Sequence, residues 1–353
     1  MSRTLVTLLA VLCTAFALFA EEAAPAYRTD YKALNDGFMQ KMQTVKSREE
    51  YKSALEQYRK DLEALVAKYQ GEKASDDLDL WRCEAYQRLD RPADALVLAD
   101  ALVERKSPLA DQASFQKVLI LLEKDEADKA AALFRTLEDK LPRDEAYYGV
   151  FVGLATGGAA PSIRKEYAQK LIAADLPASM TRVKFQAQSV LKQIELVGKP
   201  APAVSAGKWI NTEALSLESL KGKVVLLDFW APWCGPCRQT MPHLVKWYTE
   251  MKDRGLVVVG FTRYYGRYRD DIQDKGKVEP TQEFNLIGEF VTRHKLPYPI
   301  AVADGGDAFD AYGVLGIPTL VVIGKDGNVV DLHVGSGNED ALRGKVEELL
   351  GKS

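Results

Sequence analysis

Two periods divide this chain. From residue 27 to about 197, apolar positions recur every three or four residues, as in Tyr51, Leu55, Tyr58, Leu62, Leu65, Val66 and Tyr69, the spacing of a helix face. The stretch is rich in Ala, Leu, Glu, Lys, Gln and Asp and shows no strand-like alternation, so it predicts helices throughout, with Gly157-Gly158 and Pro161 interrupting late. Gly198-Lys-Pro-Ala-Pro202 then reads as a short linker. Beyond it the runs VVLLDF (224–229), LVVVGF (256–261) and TLVVI (319–323) are nearly continuous in apolar residues, as strands covered on both faces should be. Residues 241–254 and 340–350 have helical spacing, and Asp326-Gly327 is a tight-turn signal leading into a strand over 328–334. The prediction is an all-helical domain over 21–197, followed by a small α/β domain with a central mixed sheet over 198–353.

The helical half carries a period of its own. Ala93-Asp94 recurs as Ala127-Asp128 and Pro108 as Pro142, both 34 residues on, and Pro177 follows 35 after Pro142. The segments EAYQRLDRPADALVLADAL (84–102) and KVLILLEKDEADKAAALFRTL (117–137) resemble tetratricopeptide helix pairs, whose repeat has that length, without the family's full aromatic and glycine signature. Such pairs bury their apolar faces by stacking on one another. An irregular helical bundle is the other reading. By analogy of fold alone, stacked repeats imply a surface that docks protein partners.

Composition narrows the setting. The 353 residues suit two domains, and a net charge of -3 gives no reason to expect nucleic acid or an anionic membrane as the main partner. Residues 1–20 combine one charge, Arg3, with an apolar run over 5–19 and a small residue before Glu21-Glu22, which reads as a secretory signal peptide. The run is short for a membrane span, which needs ~20 residues; an uncleaved anchor is the alternative, and Cys13 as a lipid-attachment site is disfavoured by Leu12 before it. The three histidines, His243, His294 and His333, are far apart and have no metal-ligand spacing, so no metal is expected. Of four cysteines, Cys83, Cys234 and Cys237 remain after signal removal: one close pair, not a disulfide framework. Cys83 reads as a small buried residue of a helix in preference to a redox group.

The close pair carries the chemistry. Cys234-Gly235-Pro236-Cys237 stands where the first buried strand gives way to a helix. A helix's first turn has unpaired N–H groups and partial positive charge, which favours the reactive thiolate. Gly235 and Pro236 suit a tight helix start. Cys234 is therefore expected as the exposed nucleophile and Cys237, one turn further in, as the resolving thiol. A zinc site also uses Cys-x-x-Cys, but neither a second pair nor a histidine pair accompanies this one. Asp228, inside an apolar strand, is costly unless protonated or paired, which points to function.

The segments LLDFWAPWCGPCRQTMP (226–242) and YGVLGIPTLVVIGKDGNVV (312–330) resemble the two signatures of thioredoxin, and the layout is closer to the exported TlpA/ResA-like thiol–disulfide oxidoreductases. The resemblance covers 199–353. It implies an extra strand before the core, an insertion over about 262–295, and roles by position. Cys234 matches the attacking thiol and Cys237 the resolving one. Trp233 matches the residue that shields the sulfur and shapes the docking surface with Gly235 and Pro236. Pro242 matches the helix-kinking proline, Pro318 the cis-proline opposite the disulfide, Ile317 a backbone contact for bound substrate, and Asp228 the buried acid. Phe229 reads as a core aromatic and His243 as a helix residue. The chain departs from the pattern twice: the strand over 256–261 lacks thioredoxin's lysine partner for the acid, and Thr240 stands where ResA-like reductases have an acid. The charged 262–295 stretch, with RYYGRYRDD (263–271), reads as a solvated helical excursion or else as a lid or partner contact beside the site.

These features imply an exported, periplasmic protein-disulfide reductase. It is expected to work without a cofactor through a redox-active Cys234–Cys237 disulfide, and the resemblance implies clients such as those of cytochrome c maturation or other periplasmic thiol proteins, and recharging by a membrane thiol electron donor. Gly235-Pro236 is the dipeptide of reducing members. An oxidase or isomerase would use the same residues. A thiol peroxidase would need a threonine where Ala231 stands. A partner-docking protein dominated by its helical half is the reading from another class.

Overall fold

The computed structural model describes residues 24–351 except Asn338, so the expected signal segment over 1–20, with Cys13, lies outside the described residues. The chain divides after Ala187 into two compact units. Residues 26–196 form nine α-helices: α1 (Ala26–Met42), α2 (Arg48–Lys68), α3 (Asp76–Arg88), α4 (Pro92–Glu104), α5 (Ala110–Glu123), α6 (Ala127–Arg135), α7 (Glu145–Thr156), α8 (Pro161–Ala173) and α9 (Thr181–Leu196). The division between units falls inside α9, ahead of the linker at 198–202.

Helices α3, α5 and α7 begin at residues 76, 110 and 145, and their partners α4, α6 and α8 at 92, 127 and 161, in steps of 34 and 35 residues. The local chemistry repeats with the helices. Ser75 and Asp144 cap α3 and α7, accepting from the N–H of Leu78 and Tyr147. Asp90 and Asp125 take left-handed backbone (φ 60°) just after α3 and α5, letting Arg91 N–H bond Tyr86 O and Glu126 N–H bond Leu121 O at 2.9 Å each. Fully buried Trp81 is ringed by Tyr27, Tyr31 and Tyr69. Phe134 gathers Tyr147, Phe151 and Tyr167 in a second aromatic cluster. Cys83 is fully buried, and burial pushes its thiol up to about 12, so it packs and does not react at neutral pH.

The second unit is built on a mixed sheet of order β1-β6-β3-β2-β7-β8. Its strands are β1 (Lys208–Ile210), β2 (Val224–Phe229), β3 (Leu256–Arg263), β6 (Ile300–Ala303), β7 (Thr319–Ile323) and β8 (Val329–Val334). β2 runs parallel to β3 and β3 to β6, while β1, β7 and β8 pair antiparallel with their neighbours. Every residue of β2 is buried, as its apolar run requires. Period-2 alternation sends Val224, Leu226 and Trp230 to one face, under α10 (Gly235–Met251), α11 (Pro280–Arg293) and α13 (Glu339–Leu350). Val225, Leu227 and Phe229 point to the other, where α12 (Asp307–Ala311) and Leu196 of α9 pack.

The 262–295 stretch is helical, as expected, only in its second half. It is a two-stranded hairpin, β4 (Arg267–Arg269) against β5 (Asp274–Lys277), and then α11, the crossover between the parallel strands β3 and β6. Gly266 and Gly276 supply the positive φ (66° and 63°) that the hairpin needs. β6 is only four residues long, behind Pro299, too short for its apolar run to stand out from loop sequence.

Candidate active site

Cys234 and Cys237 form a disulfide with Cα atoms 5.3 Å apart. Cys234 is the N-cap of α10: its Sγ accepts the N–H of Cys237 at 3.1 Å, so one of the helix's orphan donors already points at the sulfur that would carry thiolate charge. Gly235 and Pro236 open the helix, and Pro242 lies inside it. The turn before the helix is tied twice, by Cys234 N–H to Ala231 O at 3.0 Å and by Arg238 Nη1 to Pro232 O at 2.8 Å. The expected contrast in exposure is smaller than the sequence suggests. Cys234 is only 4% exposed and Cys237 1%, because both cysteines belong to the core that includes Trp230, Ala231 and Met241.

Trp233, by contrast, is 44% exposed and stands edge-on to Tyr265, their ring centroids 5.5 Å apart. Tyr265 belongs to the segment that leads into the hairpin. Its N–H and that of Gly266 bond the two oxygens of buried Glu283 on α11, at 2.9 and 3.0 Å. Sequence reasoning singled out this stretch but neither Tyr265 nor Glu283. The RYY cluster was the available signal; the glutamate, on an amphipathic helix, gave none.

The peptide bond between Ile317 and Pro318 is cis. Thr319 pairs with Phe229 across β7 and β2, which sets Pro318 at the end of β2 where the cysteine turn begins. Ile317 is half-buried and packs against the cores on both faces of the sheet. Leu315, two residues before it, is largely exposed. Gly313 has φ 63°, and its carbonyl accepts from Ser189 Oγ and, at 2.7 Å, from Gln193 Nε2, both on α9.

Asp228 pairs with Gly260 of β3 and Leu320 of β7 and is 1% exposed. It lies between Leu226 and Trp230 on the face covered by the first turn of α10, with Cys237 in the same layer. Its Oδ1 has no protein hydrogen-bond partner, and burial pushes the carboxyl up to about 8 from its ordinary 3.8. Burial thus favours the protonated, neutral form of this carboxyl at neutral pH. Thr240, a turn beyond Cys237, is buried and reaches Pro236 O at 3.4 Å and Glu339 Oε1 at 3.5 Å. A carboxylate from α13 thus adjoins the position where ResA-like reductases carry one on α10. Among the described residues no group of three His, Cys, Asp or Glu side chains is placed to hold a metal.

Comparison with known proteins agrees with this chemistry. The Redoxin family matches residues 196–350. The thiol-disulfide oxidoreductase ResA of Halalkalibacterium halodurans is 30% identical over 133 residues, 38% of this chain and 66% of that one, so the chain spans just under two thirds of that relative. The thioredoxin-like protein YneN of Bacillus subtilis is 32% identical over 151 residues, 42% of this chain and 78% of its own. Among solved structures, a thiol:disulfide interchange protein of the thioredoxin family from Chlorobium tepidum is 29% identical and covers 43% of this chain and 96% of its own, with a TM-score of 0.35. Residues 196–350 are thus a Redoxin domain, and the match to YneN over most of that protein's length shows that the chain belongs to the thioredoxin-like thiol–disulfide oxidoreductases.

Proposed function

We propose that this protein is exported and reduces disulfides of other extracytoplasmic proteins by dithiol–disulfide exchange through Cys234 and Cys237. The observation that carries the direction is the placement of Asp228. A carboxyl buried in the layer of Cys237 opposes thiolate formation there once it ionises. A dithiol whose thiolate is less stabilised is the stronger reductant, the reverse of the oxidant DsbA, whose reduced form is stabilised. Gly235-Pro236 between the cysteines supports the same direction by resemblance. The thiolate of Cys234 attacks a client disulfide, and the client's first sulfur leaves. With Asp228 ionised, as it becomes toward pH 8, Cys237 gives its proton to that carboxylate, attacks Cys234 Sγ and frees the client's second sulfur. Trp233, Leu315 and Ile317 supply apolar surface for the client, with cis-Pro318 following Ile317 in the second of their two loops.

The apolar segment over 5–19 supports export to the periplasm, with anchoring as the variant if it is retained. Among the described residues no helix is long and apolar enough to cross a membrane. Recharging by a membrane thiol donor and clients of cytochrome c maturation follow from the TlpA/ResA resemblance. The helix pairs at 34–35-residue spacing, read as tetratricopeptide-like, would select the client. The deciding experiment equilibrates the mature protein with glutathione or dithiothreitol buffers. A reduction potential of roughly -250 mV or lower is expected; a value well above about -200 mV would make the protein an oxidase or isomerase.

A further inference from the structure

The lysine that partners the buried acid in thioredoxin has no counterpart on β3, and what occupies that space can be traced atom by atom. Opposite Asp228 the strand carries Gly260, a glycine within the otherwise bulky run LVVVGF. A Cβ built there would lie 2.6 Å from Ile300 Cδ1, 3.0 Å from Trp230 Nε1 and 3.4 Å from Tyr298 Cε2. The glycine is thus the condition for close approach of two polar aromatics to the acid's strand neighbour. The segment bearing Tyr298 is pinned in place: Gly260 N–H bonds Pro299 O at 2.9 Å, and Asn211 Nδ2 bonds Tyr298 O at 3.0 Å. Trp230 and Tyr298 are both 1% exposed or less, and Trp230 Nε1 and the Tyr298 hydroxyl, like Asp228 Oδ1, have no protein hydrogen-bond partner. Three buried polar groups on one face of the sheet, around one glycine, are each without a partner while the acid is protonated and the disulfide closed. Such groups are costly to leave unpaired.

We propose that Tyr298 is a positioning residue for Asp228: its phenol O–H is the donor that the carboxylate engages when it gives up its proton, so that Asp228 can afterwards receive the proton of Cys237. This rests on the exchange function proposed above. The step is balanced within the protein and its client. With the client held on Cys234, the Cys237 proton passes to the Asp228 carboxylate, and the Cys237–Cys234 bond forms. The Cys234–client bond breaks, and the client sulfur leaves with the electron pair. The phenol stays protonated throughout, since burial and the charge of Asp228 hold its own ionisation far above neutral pH. A tyrosine donor differs from lysine in adding no charge to the site. It steadies the carboxylate without a cation that would also stabilise the thiolate, which keeps the pair reducing. Across the strands Asp228 faces Gly260 of β3 and Leu320 of β7, which do not titrate, and the core on that side of the sheet includes Phe290 of α11 and Leu342 and Val346 of α13. Cys237 on α10 is in the same core and is held in the disulfide, and the Glu339 carboxylate of α13 lies a turn beyond it, against Thr240.

The test is Tyr298→Phe in the full-length chain, which keeps the ring and removes only the hydroxyl. In the oxidised protein, the Asp228 carboxyl is followed by carbon NMR against pH, with Asp228→Asn to assign the signal. In the reduced protein, the rate of exchange with a protein disulfide is followed across the same range. Loss of the donor should move the carboxyl titration and the acidic limb of the rate profile upward together by about one pH unit, a roughly ten-fold weaker acid. In an Asp228→Asn background the same substitution should leave the profile unmoved, since the two effects run through one group. Near-ultraviolet circular dichroism of each variant separates loss of fold from loss of the donor. A titration unchanged by Tyr298→Phe, or a rate effect that persists without Asp228, overturns the assignment. If the wild-type protein proves unable to exchange disulfides at all, the function proposed above fails, while the carboxyl titration still decides the partnership of the two side chains.

Discussion

Asp228 is a single residue whose cost should be visible in the stability of its whole domain. Its carboxyl titrates at about 8 in the folded protein against an ordinary 3.8, with burial as the cause. Between those values the folded state holds a proton that the unfolded chain has released. The stabilising contribution is therefore complete below about pH 4 and declines as pH rises toward 8, a penalty of about 4 kcal/mol by pH 7 on linkage arithmetic. Asp228→Asn is expected to flatten this slope: the melting temperature of the oxidised wild type should fall between pH 5 and 8, and that of the variant should hold nearly level. Parallel curves for the two proteins would mean that the carboxyl is not the titrating group. The acid itself was legible in the sequence, since a charge within VVLLDF is expensive unless it has a use. Tyr298 was not. It sits in LPYPI, which reads as loop, and its relation to Asp228 appears only once β6 takes its register beside β3 and Gly260 leaves room for the ring.

At the scale of elements, the hairpin β4–β5 is held to the domain by polar groups more than by a core of its own. Tyr268 is its one fully buried ring; the hydroxyl bonds Asp270 Oδ2 at 2.7 Å and Leu286 O at 3.0 Å. Asp270 also accepts from the N–H groups of Ile272 and Gln273 and from Arg293, and these bonds hold its carboxyl down at about 2 in spite of burial. At the hairpin's base, Glu283 satisfies two backbone donors next to Tyr265, which in turn stands against Trp233. Glu283→Ala leaves those N–H groups unpaired and should cost about 1–3 kcal/mol. It should also free Tyr265 and change the fluorescence of Trp233, whereas Glu283→Gln keeps one acceptor and should lose less. An unaltered tryptophan signal in the alanine variant would separate the hairpin from the active site. The sequence marked this stretch as long and charged; its second half is the expected helix, while two glycines with one inward tyrosine make its first half a hairpin. Charge pattern alone does not distinguish the two, because both leave their polar residues in solvent.

Over the whole molecule, composition and contacts disagree about where one half ends, and the disagreement is testable. Gly198-Lys-Pro-Ala-Pro202 looks like a linker, but the last turns of α9, ahead of it, belong with the second unit. Ser189 and Gln193 both donate to the carbonyl of Gly313, and Lys192 Nζ reaches Asp310 O at 2.7 Å, so the helix end closes over the loop that runs from α12 to cis-Pro318. Period and composition could not reveal this, since the bonds join residues more than a hundred positions apart, and polar side chains on a helix ordinarily read as its solvent face. Removing both donors in Ser189→Ala/Gln193→Ala leaves a buried carbonyl without its side-chain partners, a cost of about 1–3 kcal/mol per unsatisfied group. The expected outcome is a lower melting temperature for the unit that carries the disulfide. A smaller fall in the exchange rate with a protein disulfide should accompany it, because the loosened loop bears Leu315, Ile317 and Pro318. The cysteines themselves are untouched, so exchange with a small disulfide such as oxidised glutathione should stay near wild type. If both rates and the melting temperature are unchanged, α9 is only a tether, and the functional domain begins where composition places it, at residue 198.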